Sequence, residues 1–191
     1  MDDMPYTVPR VLDAILTDAD RLGFAMSCEA RTGSLLATLA ATKPEGRLLE
    51  LGTGVGAGAA WLLHGMAASA TLLSVEADPT VQDVAARHLG HDPRVEFVTG
   101  DADAWLDSYA GPRFDLAYVD CRPGKFHRLP DLLDLLAPGG IYVVDDLLPQ
   151  ATWPHDHQGR VDGFLQRIPA EERLHVTAMA WGAGVLVGAR R

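Results

Sequence analysis

Apolar runs recur along the middle of the chain, and a stretch with helical spacing separates each from the next. The runs are RLLEL (Arg47–Leu51), TLLSV (Thr71–Val75), VEFVT (Val95–Thr99), FDLAYV (Phe114–Val119) and GIYVVD (Gly140–Asp145). Between them, Ala57–Ala67, Thr80–Leu89, Ala104–Tyr109 and Lys125–Leu136 carry apolar residues three and four apart. Short strands that are apolar throughout are buried on both faces, which happens where helices cross over a parallel sheet. The pattern predicts an α/β fold with a doubly wound, mostly parallel sheet and helices on both faces. Pro138 with Gly139-Gly140 is expected to stop the last of these helices and turn the chain into its strand. Two helical stretches, Val8–Phe24 and Glu29–Ala41, precede the first strand. Val161–Arg167 also has helical spacing. After it, LHVTAMAW (Leu174–Trp181) and GVLVGA (Gly184–Ala189) are separated only by Gly182-Ala183, too short for a crossover, so an antiparallel hairpin is expected.

With 191 residues the chain is expected to form one domain. It divides into N-terminal helices (1–45), a ligand-binding core (46–150) and a lid loop, helix and hairpin (151–191). Its formal net charge of −10, with no basic cluster, argues against nucleic acid as a partner and mildly favours a cationic small molecule. Cys28 and Cys121 form no CxxC pair and read as free thiols of a reducing compartment. The acidic start MDDMPYTVPR carries no signal-like apolar run, and no stretch approaches the roughly 20 apolar residues that span a bilayer. A cytoplasmic protein without membrane contact is expected.

The first strand runs into ELGTGVG (Glu50–Gly56). Gly52, Gly54 and Ala57 also satisfy the G-x-G-x-x-A dinucleotide fingerprint, so the glycines alone leave two cofactor classes open. Glu50 separates them. A carboxylate beside the turn would repel a pyrophosphate, whereas it attracts the ammonium and sulfonium of S-adenosylmethionine (SAM). The segment resembles the E/D-x-G-x-G-x-G motif of class I SAM-dependent methyltransferases, with Gly52, Thr53, Gly54 and Gly56 at the cofactor. Glu76, before Ala77 at the end of the second strand, suits the hydroxyls of a ribose. Gly100-Asp101-Ala102, after the third strand, matches the position that meets the adenine; Asp101 is equally well placed as a helix N-cap. The resemblance implies a seven-stranded sheet ordered 3-2-1-4-5-7-6, its last strand antiparallel.

Asp120 ends the fourth strand and Asp145-Asp146 end the fifth, neighbours about 4.8 Å apart in such a sheet. Carboxylates gathered there repel one another unless protonated or neutralised, and a hard divalent cation neutralises them most simply. The pattern is similar to the metal-dependent O-methyltransferases of the catechol and caffeoyl-CoA type. That resemblance extends to CEARTGSLL (Cys28–Leu36), which looks like the family's helix at the cofactor entrance. It implies Mg²⁺ or a similar ion on Asp120, Asp145 and Asp146, binding a vicinal diol and lowering its hydroxyl pKa. Without a metal, Asp120 would meet the ammonium of SAM and the other two would be turn and cap residues.

This sequence departs from that pattern in three places. Asp146 stands where the family has Asn, and Ala57-Gly58 replace a Tyr-Ser pair. The family's catalytic Lys falls at Pro123, leaving Lys125, in the turn RPGK, as its substitute or as a helix-start residue. His155 and His157, in TWPHDHQG after the fifth strand, are further candidates for a general base. Trp153 is either a pocket wall or ordinary packing. The expectation is a methyltransferase acting on a small-molecule acceptor, most simply a hydroxyl, with Lys125, His155 and Asp120 as catalytic candidates. A metal-independent methyltransferase on N, O or S, a non-catalytic SAM- or nucleoside-binding protein and, more weakly, an NAD-dependent oxidoreductase are the alternatives. The acceptor is not written in the sequence, and a homodimer is left open.

Overall fold

The structure, a computed structural model, describes residues 4–150 and 153–191. One sheet contains β1 (Arg47–Leu51), β2 (Thr71–Glu76), β3 (Val95–Thr99), β4 (Phe114–Val119), β5 (Leu136–Val144), β6 (Leu174–Met179) and β7 (Val185–Arg190). Their order is β3-β2-β1-β4-β5-β7-β6, with β7 antiparallel to both of its neighbours and the other pairs parallel. This is the expected topology.

Burial with a period of two explains the layers. Along β4, Leu116 and Tyr118 enter one core together with Leu48 and Val143, while Ala117 and Val119 enter the opposite core with Leu49 and Val144. The first core is covered by α1 (Leu12–Leu22), α2 (Ala30–Ala41), α3 (Ala57–Gly65) and α4 (Pro79–Leu89). The second is covered by α5 (Ala102–Ser108), α6 (Leu129–Leu135) and α7 (His157–Arg167). Fully burying each such Leu or Val stabilises the fold by about 1.5–3 kcal/mol, which is why both faces of the central strands must stay apolar. Among the described residues no helix is long and apolar enough to cross a membrane.

Several boundaries differ from the periodicity. The first helix begins at Leu12 rather than Val8, after Pro9, whose carbonyl accepts the Leu12 N–H. Helix α6 begins at Leu129 rather than Lys125, because residues 122–128 are taken up by a folded turn. Pro138-Gly139-Gly140 does not turn the chain into β5. The strand already starts at Leu136, paired with Phe114, and these residues form an irregularity before Ile141 pairs with Leu116. Helix α7 begins at His157, not Val161, and the hairpin loop spans 180–184, longer than two residues. Ala151 and Thr152, the start of the expected lid loop, lie outside the described residues, as do the first residues of the N-terminal segment.

Candidate functional site

Strand order reverses between β1 and β4, and a crevice opens at the carboxyl ends of the strands there. It is a cleft of about 510 Å³, within the range of small-molecule sites. Gly52, Gly54, Glu76, Ala77, Asp101 and Ala102 wall one end. Asp120, Lys125, Phe126, Asp146, Trp153 and His157 wall the other.

The glycine turn is built by close approach. Gly52 has φ 96°, and a Cβ there would stand 2.8 Å from the Asp120 carbonyl oxygen, so the turn presses on the end of β4. Gly56 does not reach the cleft; a Cβ there would meet that of Ala85 at 2.7 Å, so its missing side chain admits α4. Glu76 Oε2 accepts the Gly54 N–H at 2.9 Å and Oε1 accepts that of Asp78 at 3.1 Å, which aims the carboxylate along the cleft wall. Asp101 lines the cleft, and its Oδ1 accepts the Ala104 N–H at 3.0 Å as the N-cap of α5.

Glu50 lies deeper than the mouth of the turn. It is fully buried on the wall of a recess of about 10 Å³, with Ser27, Gly52, Thr53, Tyr118 and Asp120 around it. That is room for one water-sized group. Ser74 Oγ donates to Glu50 Oε2 at 2.5 Å and shares a hydrogen bond with Thr53 Oγ1 at 2.6 Å, so Thr53 supports Glu50 from behind. Glu50 Oε1 has no partner, and Gly58 leaves it space: a Cβ there would stand 2.3 Å from that oxygen. Burial pushes the Glu50 carboxyl up to about 8, against the Ser74 hydrogen bond that favours the ionised form.

At the other end the histidines separate. His157 lines the cleft, its ring tilted by 40° against that of Trp153 at 4.3 Å and edge-on to Phe126 at 5.2 Å, whereas His155 is exposed and outside the cleft wall. Burial, then the nearby Lys125 charge, lowers the His157 pKa from its ordinary value, so the ring is neutral at neutral pH. His157 Nε2, Trp153 Nε1 and Ser27 Oγ are buried without a hydrogen-bond partner among the described residues, and all three residues line this cleft. Orphaned polar atoms are rare in native proteins, and their concentration here marks a place where a ligand supplies the partners. Of the wall Phe24–Glu29, only Cys28 and Glu29 were foreshadowed, by the likeness of Cys28–Leu36 to a cofactor-entrance helix; Phe24 to Ser27 showed no more than a break in helical spacing.

Lys125 is buried, and its ammonium donates to the carbonyl oxygens of Asp145 at 2.5 Å and Asp146 at 3.4 Å. Burial lowers its pKa, while the carboxylates of Asp120, Asp146 and Asp145 favour its charged form. Asp120, half-buried beside the cleft, is pushed well up by burial and then by Asp145 and Asp146. Burial lifts Asp145 to about 6. With Lys125 on the neighbouring carbonyl oxygens, the donor set as it stands does not fit the divalent cation that the catechol-type pattern implies. Asp145 Oδ1 accepts the Asp146 N–H at 2.9 Å and Thr32 Oγ1 at 3.4 Å, and Oδ2 accepts the Tyr118 hydroxyl at 3.2 Å, so its carboxylate is committed to protein donors. Asp146 stands at φ 58°, a backbone conformation that Asp and Asn tolerate best among non-glycine residues. Among the described residues no group of His, Cys, Asp or Glu is arranged to hold a metal ion.

A family model described as a methyltransferase domain matches residues 49–147, from within β1 to just past β5. A protein of Mycobacterium sp. (strain KMS), named as an O-methyltransferase, is 31% identical over 191 residues, covering 93% of this chain and 87% of its own. A crystal structure from Klebsiella pneumoniae, described as an O-methyltransferase, has a TM-score of 0.83 at 28% identity over 97% of this chain and 92% of its own. The O-methyltransferase from Bacillus cereus, in complex with SAH, has a TM-score of 0.85 over 97% of this chain and 93% of its own; at 21% identity that likeness is one of fold.

Proposed function

This chain belongs to the class I SAM-dependent methyltransferases, and we propose that it transfers the methyl group of SAM to a hydroxyl of a small molecule seated between Asp120, Trp153 and His157. One observation carries the reading. A single cleft joins an end walled by the glycine turn, Glu76 and Asp101 at successive strand ends to an end lined by aromatic rings and unpartnered polar atoms. Glu76 takes the ribose hydroxyls, Asp101 and Ala102 flank the adenine, and Gly52 and Gly54 let the backbone approach the methionine part. Glu50, with Asp120 beside it on the recess, receives the ammonium, a group of the size the recess admits.

The acceptor oxygen attacks the sulfonium methyl in line. A C–O bond forms, the C–S bond breaks, and its electron pair stays on sulfur to give S-adenosylhomocysteine. Most of the acceleration in such a transfer comes from holding oxygen, carbon and sulfur in line. The hydroxyl proton goes to His157 Nε2, which has no hydrogen-bond partner among the described residues and is neutral at neutral pH. Of the bases that the sequence offered, Lys125, His155 and His157, this reading takes His157.

The test is calorimetry with S-adenosylhomocysteine, SAM and NAD, followed by mass spectrometry of a panel of hydroxylated small molecules incubated with SAM. Binding of the adenosyl compounds and a methyl ether product support the proposal. Tighter binding of NAD would overturn the cofactor assignment. Cofactor binding without turnover across the panel would favour a non-catalytic SAM-binding protein.

A further inference from the structure

Three carboxylates gather at the ends of β4 and β5, and the cation facing them comes from the chain itself. Its delivery depends on the turn that follows Asp120. Phe126 N–H donates to the Arg122 carbonyl at 2.9 Å and closes the turn. Gly124 takes φ 81°, and a Cβ there would meet Leu132 Cδ2 at 2.8 Å. From β5, the Tyr142 hydroxyl donates to the Gly124 carbonyl at 2.6 Å and fastens the turn to the sheet. The next residue is Lys125, whose ammonium is thereby set on the carbonyl oxygens of Asp145 and Asp146 and 5.0 Å from the centre of the Phe126 ring. Arg122 is half exposed and reaches Asp156 at 4.0 Å instead, so it does not share this task.

Carbonyl and carboxylate oxygens are what a hard divalent cation would coordinate. An ammonium carries three donors and one charge and occupies the same kind of oxygen-lined space. The two cannot share it. We propose that Lys125 is the resident cation of this site, so that the acidic cluster is neutralised from within the chain and methyl transfer proceeds without a divalent metal. The inference rests on the methyltransferase reading above, which it deepens. Lys125 acts as a charge fixed in place: it ties the turn after β4 to the carbonyl oxygens at the end of β5, beside the three carboxylates. The acceptor proton goes to His157, so no step needs a metal-bound hydroxyl.

Wild-type protein saturated with S-adenosylhomocysteine is titrated with MnCl₂, with and without catechol as a chelating probe. Free Mn²⁺ is followed by electron paramagnetic resonance and stability by the melting temperature. The wild type should leave both readings unchanged. Lys125→Ala, having lost the internal cation, should bind one Mn²⁺ per chain and melt higher with it, and adding Asp145→Asn and Asp146→Asn should abolish that binding. Stoichiometric Mn²⁺ uptake by the wild type, lost in Asp145→Asn/Asp146→Asn, would overturn the proposal, and this arm decides even if Lys125→Ala does not fold. A folded Lys125→Ala protein that ignores Mn²⁺ would overturn it as well. Failure of S-adenosylhomocysteine to bind would count against the methyltransferase reading, while the Mn²⁺ titrations still judge Lys125.

Discussion

Replacing Glu50 by Gln separates the stability of the empty fold from the affinity for the cofactor. The ordinary carboxyl value is 4.5, and burial raises Glu50 to about 8. Between these values the unfolded chain has released the proton and the folded chain keeps it, so the native state binds more protons and stability falls as pH rises. The slope is about 1.4 kcal/mol per pH unit, giving a loss of roughly 3 kcal/mol by pH 7 and roughly 5 kcal/mol by pH 8, with no further change above. Glu50→Gln mimics the protonated acid and accepts the same hydrogen bond from Ser74, so it escapes this loss. Urea unfolding of both proteins from pH 5 to 9 should show the variant gaining on the wild type as pH rises, until the gap levels off. Binding should run the other way. If the ammonium of S-adenosylhomocysteine meets ionised Glu50, the wild type releases a proton on binding below pH 8, and its affinity rises by up to tenfold per pH unit. Glu50→Gln should bind about ten- to a hundredfold more weakly near pH 8, the scale of a charge-assisted hydrogen bond, and show no such rise. Calorimetry in buffers of different ionisation enthalpy reads the proton release directly. Parallel stability curves for the two proteins across the whole pH range would refute the buried, proton-holding Glu50, and pH-independent binding by the wild type would refute its contact with the ammonium.

Glu76→Ala should weaken S-adenosylhomocysteine binding by about 1.5–3 kcal/mol, measured by calorimetry, because the carboxylate is proposed to serve the ribose and also orders the Gly54 N–H. Once an acceptor is found, His157→Gln should lower kcat by about 10²-fold, with His155→Gln close to wild type. The wild-type kcat should fall on the acid side with a midpoint below 6.5, since burial and Lys125 both favour the neutral ring; an unchanged kcat in His157→Gln would remove it as the base. Gly124→Ala should destabilise the fold by about 1–3 kcal/mol in chemical denaturation, from the left-handed backbone and the crowding against Leu132. A neutral substitution there would mean that the turn relaxes freely and does not hold Lys125 in place.

The parts of this molecule that were legible in its sequence are those encoded by short-range periodicity. FDLAYV must be buried on both faces because every second side chain points to the same core, and Leu116, Ala117, Tyr118 and Val119 are all fully buried. Glu76 and Asp101 were legible because a strand end is a fixed place relative to the crevice. Lys125 was only half legible. Its number in the chain placed it two residues past the expected position at Pro123, and what brings it to β5 is a glycine at positive φ and a hydroxyl from Tyr142, neither of which any spacing rule contains. Glu50 was read at the mouth of the turn but lies deeper, since depth depends on Gly58, Ser74 and Thr53 closing around it. The sequence offered the two histidines together, and it is the helix boundary that separates them. Val161 and Phe164 form the buried stripe of α7, and His157 stands four and seven residues before them on the same face, whereas His155 lies off it. Trp153, four residues earlier again, packs against His157. Starting the helix at Val161 cut that stripe short and left the two histidines indistinguishable. Extending it by one turn, back to the N-cap Asp156, puts His157 on the buried face of α7 and leaves His155 outside the helix. Which of the two histidines lines the cleft is therefore a question of where a helix begins.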